Sequence, residues 1–196
     1  MSEASKKKRV ILVTDGDRAA QKAVETAAKN IGGRCISASG GNPTPLDGRE
    51  IVELIRQAHH DPVVVMFDDK GSRHEGKGEK ALGFVARQPD LEVIGVLAVA
   101  SNTARAGGAE VDCSVTKSKE VISGQVDKYG NSVSADNVVK GDTVDILNSL
   151  KGKQVPYIVG IGDIGKMDGS DDPAKGAEIT TKALKMIIER WEGQGH

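Results

Sequence analysis

The sequence predicts an α/β fold: a single domain built on one doubly wound, mostly parallel sheet with helices on both faces. Three observations lead there. Short continuous apolar runs read as strands covered on both sides. Each run gives way to a turn rich in Gly and Asp, then to apolar residues at three- and four-residue spacing. That alternation recurs along 196 residues, a length that buries a core without staples, with no internal repeat and no dividing linker.

Val10 to Val13 is the first strand. After Thr14-Asp15-Gly16-Asp17, the residues Ala19, Ala20, Ala23, Val24, Ala27, Ala28 and Ile31 form one face of a helix, which Gly32-Gly33 ends. Arg34 to Ala38 is the second strand, and Ser39 to Leu46 a loop of Gly, Asn and Pro. Asp47 and Glu50 have the spacing of a capping box, followed by the stripe Ile51, Val52, Leu54, Ile55 and Ala58. Pro62 forbids continuing that helix, so Val63 to Phe67 is the third strand. Glu79 to Arg87 is a third helix and Leu91 to Val99 a fourth strand.

Periodicity weakens after residue 100. Val111 to Val115 reads as a strand, whereas 117–140 is an excursion that the pattern does not place. Its Asp127-Lys128-Tyr129-Gly130-Asn131 turn has the character of a hairpin connection. Asp142 is placed to cap a short helix running to Leu150, and Tyr157 to Ile161 is the last strand. Asp172-Pro173 has the form of a helix start, with Ala177, Thr180, Leu184, Ile187 and Trp191 as that helix's inner seam. Right-handed crossovers then give a Rossmann-like sheet.

Composition excludes several function classes. The 27 basic and 28 acidic side chains leave no electrostatic grip for nucleic acid. Five aromatic residues, against 24 glycines, supply no base-stacking platform. Lys6-Lys7-Lys8-Arg9 reads as a solvated run, with residues 1–8 a flexible basic flank. The longest apolar run, Val93 to Ala100, is far below the roughly 20 residues of a membrane span. No apolar segment of a secretory signal precedes Val10, so a cytosolic origin is expected. Cys35 and Cys113, with no paired spacing, read as reduced core residues.

In such folds ligands bind outside the carboxyl ends of the strands. The polar residues concentrate in those turns: Asp15, Asp17 and Arg18; Ser39 to Asn42; Asp68, Asp69, Lys70 and Arg73; Ser101 and Asn102; Asp163, Lys166 and Asp168. Three chemical readings compete. Asp15-Gly16-Asp17 after a strand matches the start of an aspartyl-phosphatase loop, but Ala19 stands where that pattern expects Thr or Val, and Asp17 equally suits a helix cap. Asp15, Asp17, Asp68 and Asp69 supply the hard oxygens a Mg²⁺ site needs, as in Toprim-like enzymes, without that pattern's strand Glu or a positive channel. Gly160 to Gly165 matches G-x-G-x-x-G in letters, but the helix that should open there starts only near Asp172. A nicotinamide site is therefore rejected, and at most an anion nest remains. No nucleophile–base pair stands out: His59 and His60 read as surface caps, His74 is the sole histidine among the strand-end turns, and His196 is terminal.

Taken together, Val13 to Asp17, Ser39 to Thr44, Val65 to Gly71, Val96 to Thr103 and Ile158 to Asp168 resemble the soluble-subunit type of the stage V sporulation protein AE family, over roughly residues 9 to 192. The resemblance implies a spore protein encoded with membrane subunits that move dipicolinic acid, chelated with calcium, into the forming spore and out at germination. It implies a non-enzymatic accessory or regulatory subunit, made in the cytosol and peripheral to the spore inner membrane through its partners. Those partners are the other stage V sporulation channel subunits, membrane and soluble, with the germinant-receptor machinery a further candidate. It carries over no catalytic or ligand residues and no cofactor, with Mg²⁺ or Ca²⁺ the candidate ions. Two alternatives stand beside it. One is dipicolinate sensing at the strand-end face, where Arg18, Lys70, Arg73 and Lys166 suit a dicarboxylate. The other is Mg²⁺-dependent phosphoryl transfer by the four carboxylates.

Overall fold

The computed structural model describes residues 6–71, 75–101, 107–134, 136–141 and 143–195. Five strands carry the centre of the fold: β1 (Lys8–Val13), β2 (Arg34–Cys35), β3 (Val63–Met66), β4 (Leu91–Val99) and, late in the chain, β11 (Ile158–Ile161). Helices α1 (Arg18–Asn30), α2 (Gly48–Gln57) and α3 (Lys77–Ala86) connect the first four. Among the described residues between β4 and β11 lie six short strands: β5 (Gly108–Glu110), β6 (Cys113–Val115), β7 (Val121–Ile122), β8 (Gln125–Val126), β9 (Ser132–Ser134) and β10 (Val138–Lys140). The short helix α4 (Asp145–Leu150) follows them, and α5 (Glu178–Glu192) closes the chain.

The main sheet has the order β2-β3-β1-β4-β11-β6-β7 and is parallel except for β7. β3, not β2, lies beside β1. Side chains alternate across the pleat, so consecutive strand residues enter different cores. Val10 and Leu12 pack with α2, α3 and α4, while Ile11 and Val13 pack with α1 and α5. The fold is thus α/β, with a mostly parallel sheet and a helix layer in each core. Gly95, central in β4, admits Ile187 of α5: an added Cβ would lie 2.5 Å from the Ile187 Cγ2. That close approach seats α5 on the middle of the sheet.

Several local expectations are revised. The second strand is two residues long, because Ser37–Ser39 turns into a 3₁₀ helix. Val111 to Val115 is not one strand. Asp112 breaks it, exchanging backbone and side-chain hydrogen bonds with Ile158 (2.8 and 2.7 Å). Lys8 and Arg9 are not a loose flank. They belong to β1, where Lys8 Nζ donates to the Ala58 carbonyl at 2.8 Å, and Arg9 pairs with Asp61 and covers the Trp191 ring. Residues 1–5, the expected cap Asp142 and His196 lie outside the described residues.

The stretch 117–140 splits three ways. β7 extends the main sheet from β6, β10 pairs antiparallel with β5, and β8 and β9 pair antiparallel across the Asp127–Asn131 turn. Asp127 organises that turn by accepting from the amides of Tyr129 and Asn131, each at 2.9 Å. The hairpin then seals one side of the strand-end face: the Asp163 amide donates to the Lys128 carbonyl at 2.8 Å.

Candidate functional site

Where β1, β3, β4 and β11 end, their turns enclose a cleft of about 380 Å³. Local chemistry makes each wall. Asp15 Oδ1 accepts from the amides of Gly16 (2.8 Å) and Asp17 (3.2 Å), so the chain turns sharply out of β1. Asp17 then caps α1 by accepting from Ala19 and Ala20 at 2.8 and 2.9 Å. Gly16 has no Cβ because one would stand 2.8 Å from the Gly41 carbonyl. The reverse contact, Gly41 amide to Gly16 carbonyl at 2.6 Å, ties the loop after β2 to this turn. Thr14 Oγ1 accepts from the Val99 amide at 2.9 Å and locks the ends of β1 and β4 together.

The turn after β3 sends its two carboxylates in opposite directions. Asp68 faces the cleft, and its Oδ1 accepts from the Lys70 amide at 2.8 Å, with Lys70 in the left-handed region at φ 52°. Asp69 faces away. Its carboxylate accepts from Gly78 (2.6 Å) and Glu79 (3.1 Å) and caps α3, whose own N-cap residue, Gly76, has no side chain to do so. At the end of β11, Asp163 accepts from the Gly165 amide at 3.1 Å and pairs with Lys166 Nζ at 2.7 Å.

Of the residues expected at the site, Asp15, Asp17, Asp68, Lys70, Ser101, Asp163 and Lys166 line this cleft together. Asp69 does not, and neither does Arg18, which is exposed on the first turn of α1. Asp168 stands apart on an exposed turn, paired with Lys117 Nζ at 3.0 Å. Arg73 and Asn102, with neighbouring Ser72, His74 and Thr103, lie outside the described residues. Thr14, Asn42, Gly71 and Val99 also line the cleft. Asn42 was legible as part of the polar turn after the second strand; Val99, an ordinary apolar strand residue, carried no signal.

The electrostatics of the cleft centre on Asp15. Burial, with Asp17, Asp68 and Asp163 around it, pushes its carboxyl up to about 8, against the pull of the Asp17 amide. The Asp163 carboxylate holds the Lys166 ammonium above its ordinary range. Outside the cleft, burial and the nearby Asp69 and Asp145 raise Glu79 to about 7. At neutral pH the cleft floor therefore offers a protonated carboxyl able to donate a hydrogen bond. Among the described residues, no group of three or more His, Cys, Asp or Glu side chains is disposed to hold a metal ion. With Asp69 turned away, the four-carboxylate Mg²⁺ arrangement is not assembled.

The first two glycines of the G-x-G-x-x-G string have packing reasons. A Cβ on Gly160 would meet Ser114 Oγ at 2.6 Å, and one on Gly162 would meet the Gly130 nitrogen at 2.5 Å. They let β11 lie close to β6 and to the hairpin, and no helix opens at their end.

A family model described as Stage V sporulation protein AE1 matches residues 9–191. Neither curated proteins nor solved structures give a match.

Proposed function

The chain belongs to the stage V sporulation protein AE1 family, and on that premise we propose that it is a non-enzymatic accessory subunit of the spore inner-membrane machinery that takes up dipicolinic acid and releases its calcium chelate at germination. It works through protein–protein contacts, peripheral to the membrane and held there by its partners. No helix among the described residues is long and apolar enough to cross a membrane, which accords with attachment through partners. The two separate helix layers support a doubly wound, Rossmann-like reading of the sheet that carries those contacts.

One observation carries the non-enzymatic reading: the acidic side chains of the cleft are engaged in holding its own walls. Asp163 is paired with Lys166, Asp17 caps α1, Asp68 accepts from the Lys70 backbone amide, and Asp15 holds its own turn. Among the described residues, no nucleophile with an adjacent base and a charge-neutralising partner is left to close into a mechanism. The test is a gene deletion complemented by wild type or by Asp15→Asn, read as spore dipicolinate content and release rate. Deletion is expected to lower content or slow release, and both genes to restore it. A deletion with no effect on uptake, release or germination overturns the accessory role. Rescue by wild type but not by Asp15→Asn returns the enzyme reading.

A second reading has its own support. At neutral pH the cleft sets the carboxylates of Asp17, Asp68 and Asp163, beside the protonated Asp15, against Lys70 and Lys166. A bare dicarboxylate is repelled by that set, whereas a calcium–dipicolinate chelate brings its own cation and leaves its outer carboxylate oxygens to the lysines. Ca²⁺ and dipicolinate together are then expected to raise the melting temperature by several degrees at about a hundred times the dissociation constant, with neither alone doing so. A shift with dipicolinate alone, or none with the pair, counts against it.

A further inference from the structure

The edge strand β2 leaves one side of its backbone open. Arg34 and Ile36 donate their amides to Pro62 and Val64 at 2.9 Å each, so the inward groups belong to β3. By the pleat, the N–H and C=O of Cys35 point the other way, off the edge of the sheet. Sequence and packing set the two faces of this edge apart. The Cys35 side chain lies in the core under α1, and that of Ile36 in the core under α2.

A concavity flanks the edge on each of these faces. On the α2 side a cavity of about 390 Å³ is lined by Ile36, Leu54, Ala58 and His59. On the α1 side one of about 420 Å³ is lined by Glu25, Lys29 and Gly33. Arg34, Cys35, Ser37 and His60 belong to both, so the two hollows border the same edge. An open strand edge between two hollows has the form of a strand-addition groove: the backbone pairs, and alternate side chains enter opposite hollows.

The charge on the groove decides its occupant. Lys29 and Arg34 are exposed, and neither forms an ion pair among the described residues, against the single carboxylate of Glu25. Burial raises the Cys35 thiol to about 12, so it brings no charge. A second copy paired edge to edge about a two-fold axis would gather Arg34 and Lys29 of both copies along one seam, a concentration of like charge that disfavours it. An acidic segment meets no such penalty. We propose that the β2 edge is a docking site for an extended acidic segment of a partner protein, adding as a strand with carboxylates toward Lys29 and Arg34 and apolar side chains toward Leu54 and Ala58. The 3₁₀ turn at Ser37–Ser39 limits the pairing to about three residues, which makes it a reversible contact.

The proposal is independent of any ligand in the strand-end cleft, and its test reads the edge directly. Amide hydrogen exchange of the whole chain is followed with two capped probe peptides, Glu-Leu-Glu-Leu-Glu and Lys-Leu-Lys-Leu-Lys, up to millimolar concentration. The acidic peptide is expected to slow exchange at the Cys35 amide at least tenfold and the basic one to leave it unchanged. In the Lys29→Glu/Arg34→Glu protein, whose changes lie on exposed side chains, the preference is expected to invert. No slowing at Cys35 by the acidic peptide, or equal slowing by both, overturns the proposal. Slowing that grows with protein concentration and without peptide assigns the edge to a second copy instead.

Discussion

Replacing Asp171 by Ala is expected to cost about 3–4 kcal/mol of folding stability, read as a lower urea midpoint with an unchanged slope. α5 is the longest helix among the described residues, yet its N-cap residue, Ala177, sits in the left-handed region at φ 46° and has no polar side chain to offer the first amides. Asp171, six residues before it and only 1% exposed, takes that role from outside the helix. Its Oδ1 accepts from the amides of Ile179 and Thr180 at 2.9 Å each, and its Oδ2 from the Thr180 hydroxyl at 2.6 Å. Alanine would strand three buried donors and remove a carboxylate from a helix N-terminus. The helix so loosened carries Ile179, Ala183, Leu184 and Ile187 into the core shared with α1. Asp171→Asn, which keeps an acceptor for both amides, is expected to lose less than half as much. A loss below about 1 kcal/mol for the alanine protein would mean that α5 is held by packing alone.

That cap also marks a limit of sequence reading. Asp172-Pro173 has the form of a helix start, and it does start one: Asp172 caps the single turn Pro173–Lys175. The turn ends at Gly176, at φ 99°, so α5 begins five residues after the proline and takes its cap from Asp171. Nothing in the local pattern distinguishes the two neighbouring aspartates, because the difference lies in how the chain doubles back. By contrast Asp47 and Glu50 form their capping box as their spacing dictates, since every partner lies within one turn. The same contrast separates the first hundred residues from 117–140. There the strands are two or three residues long, and β10 finds its partner β5 some thirty residues upstream. So short a strand has no period to read.

The cleft was legible as a place more than as a set. Parallel strands all end on one side, so polar residues after four strands had to converge there. Which of them point inward depends on geometry that adjacent letters do not carry. Asp68 and Asp69 diverge because successive residues leaving a strand face opposite sides, and the α3 N-terminus is close enough to claim the second. Arg18 was expected to face the cleft, but Asp17 begins the helix one residue earlier and the winding of α1 carries Arg18 outward. Among the described residues the cleft therefore sets more carboxyl groups than cations together: Asp15, Asp17, Asp68 and Asp163 beside Lys70 and Lys166.

That imbalance has a measurable consequence at Asp15. Its carboxyl rises from an ordinary 3.8 to about 8 in the folded chain, with burial the main cause and Asp17, Asp68 and Asp163 adding to it. A carboxyl whose folded value is raised binds its proton more tightly when folded than when unfolded. Its contribution is fully present below the unfolded value and is lost as pH climbs through the folded one. Between roughly pH 4 and pH 8 the unfolded chain releases this proton and the folded chain does not, so stability should fall with rising pH. Asp15→Asn keeps the size of the side chain and an oxygen for the Gly16 and Asp17 amides, while removing the titration. Measured by urea unfolding at pH 5 and pH 9, the difference between the two proteins should swing by about 2–3 kcal/mol in favour of the asparagine protein at the higher pH. This is less than the full linkage value, because part of the carboxyl touches water. Glu79, raised to about 7, titrates in the same window but is common to both proteins and cancels in the comparison. Parallel pH curves would mean that the Asp15 carboxylate is solvated as freely as in the unfolded chain.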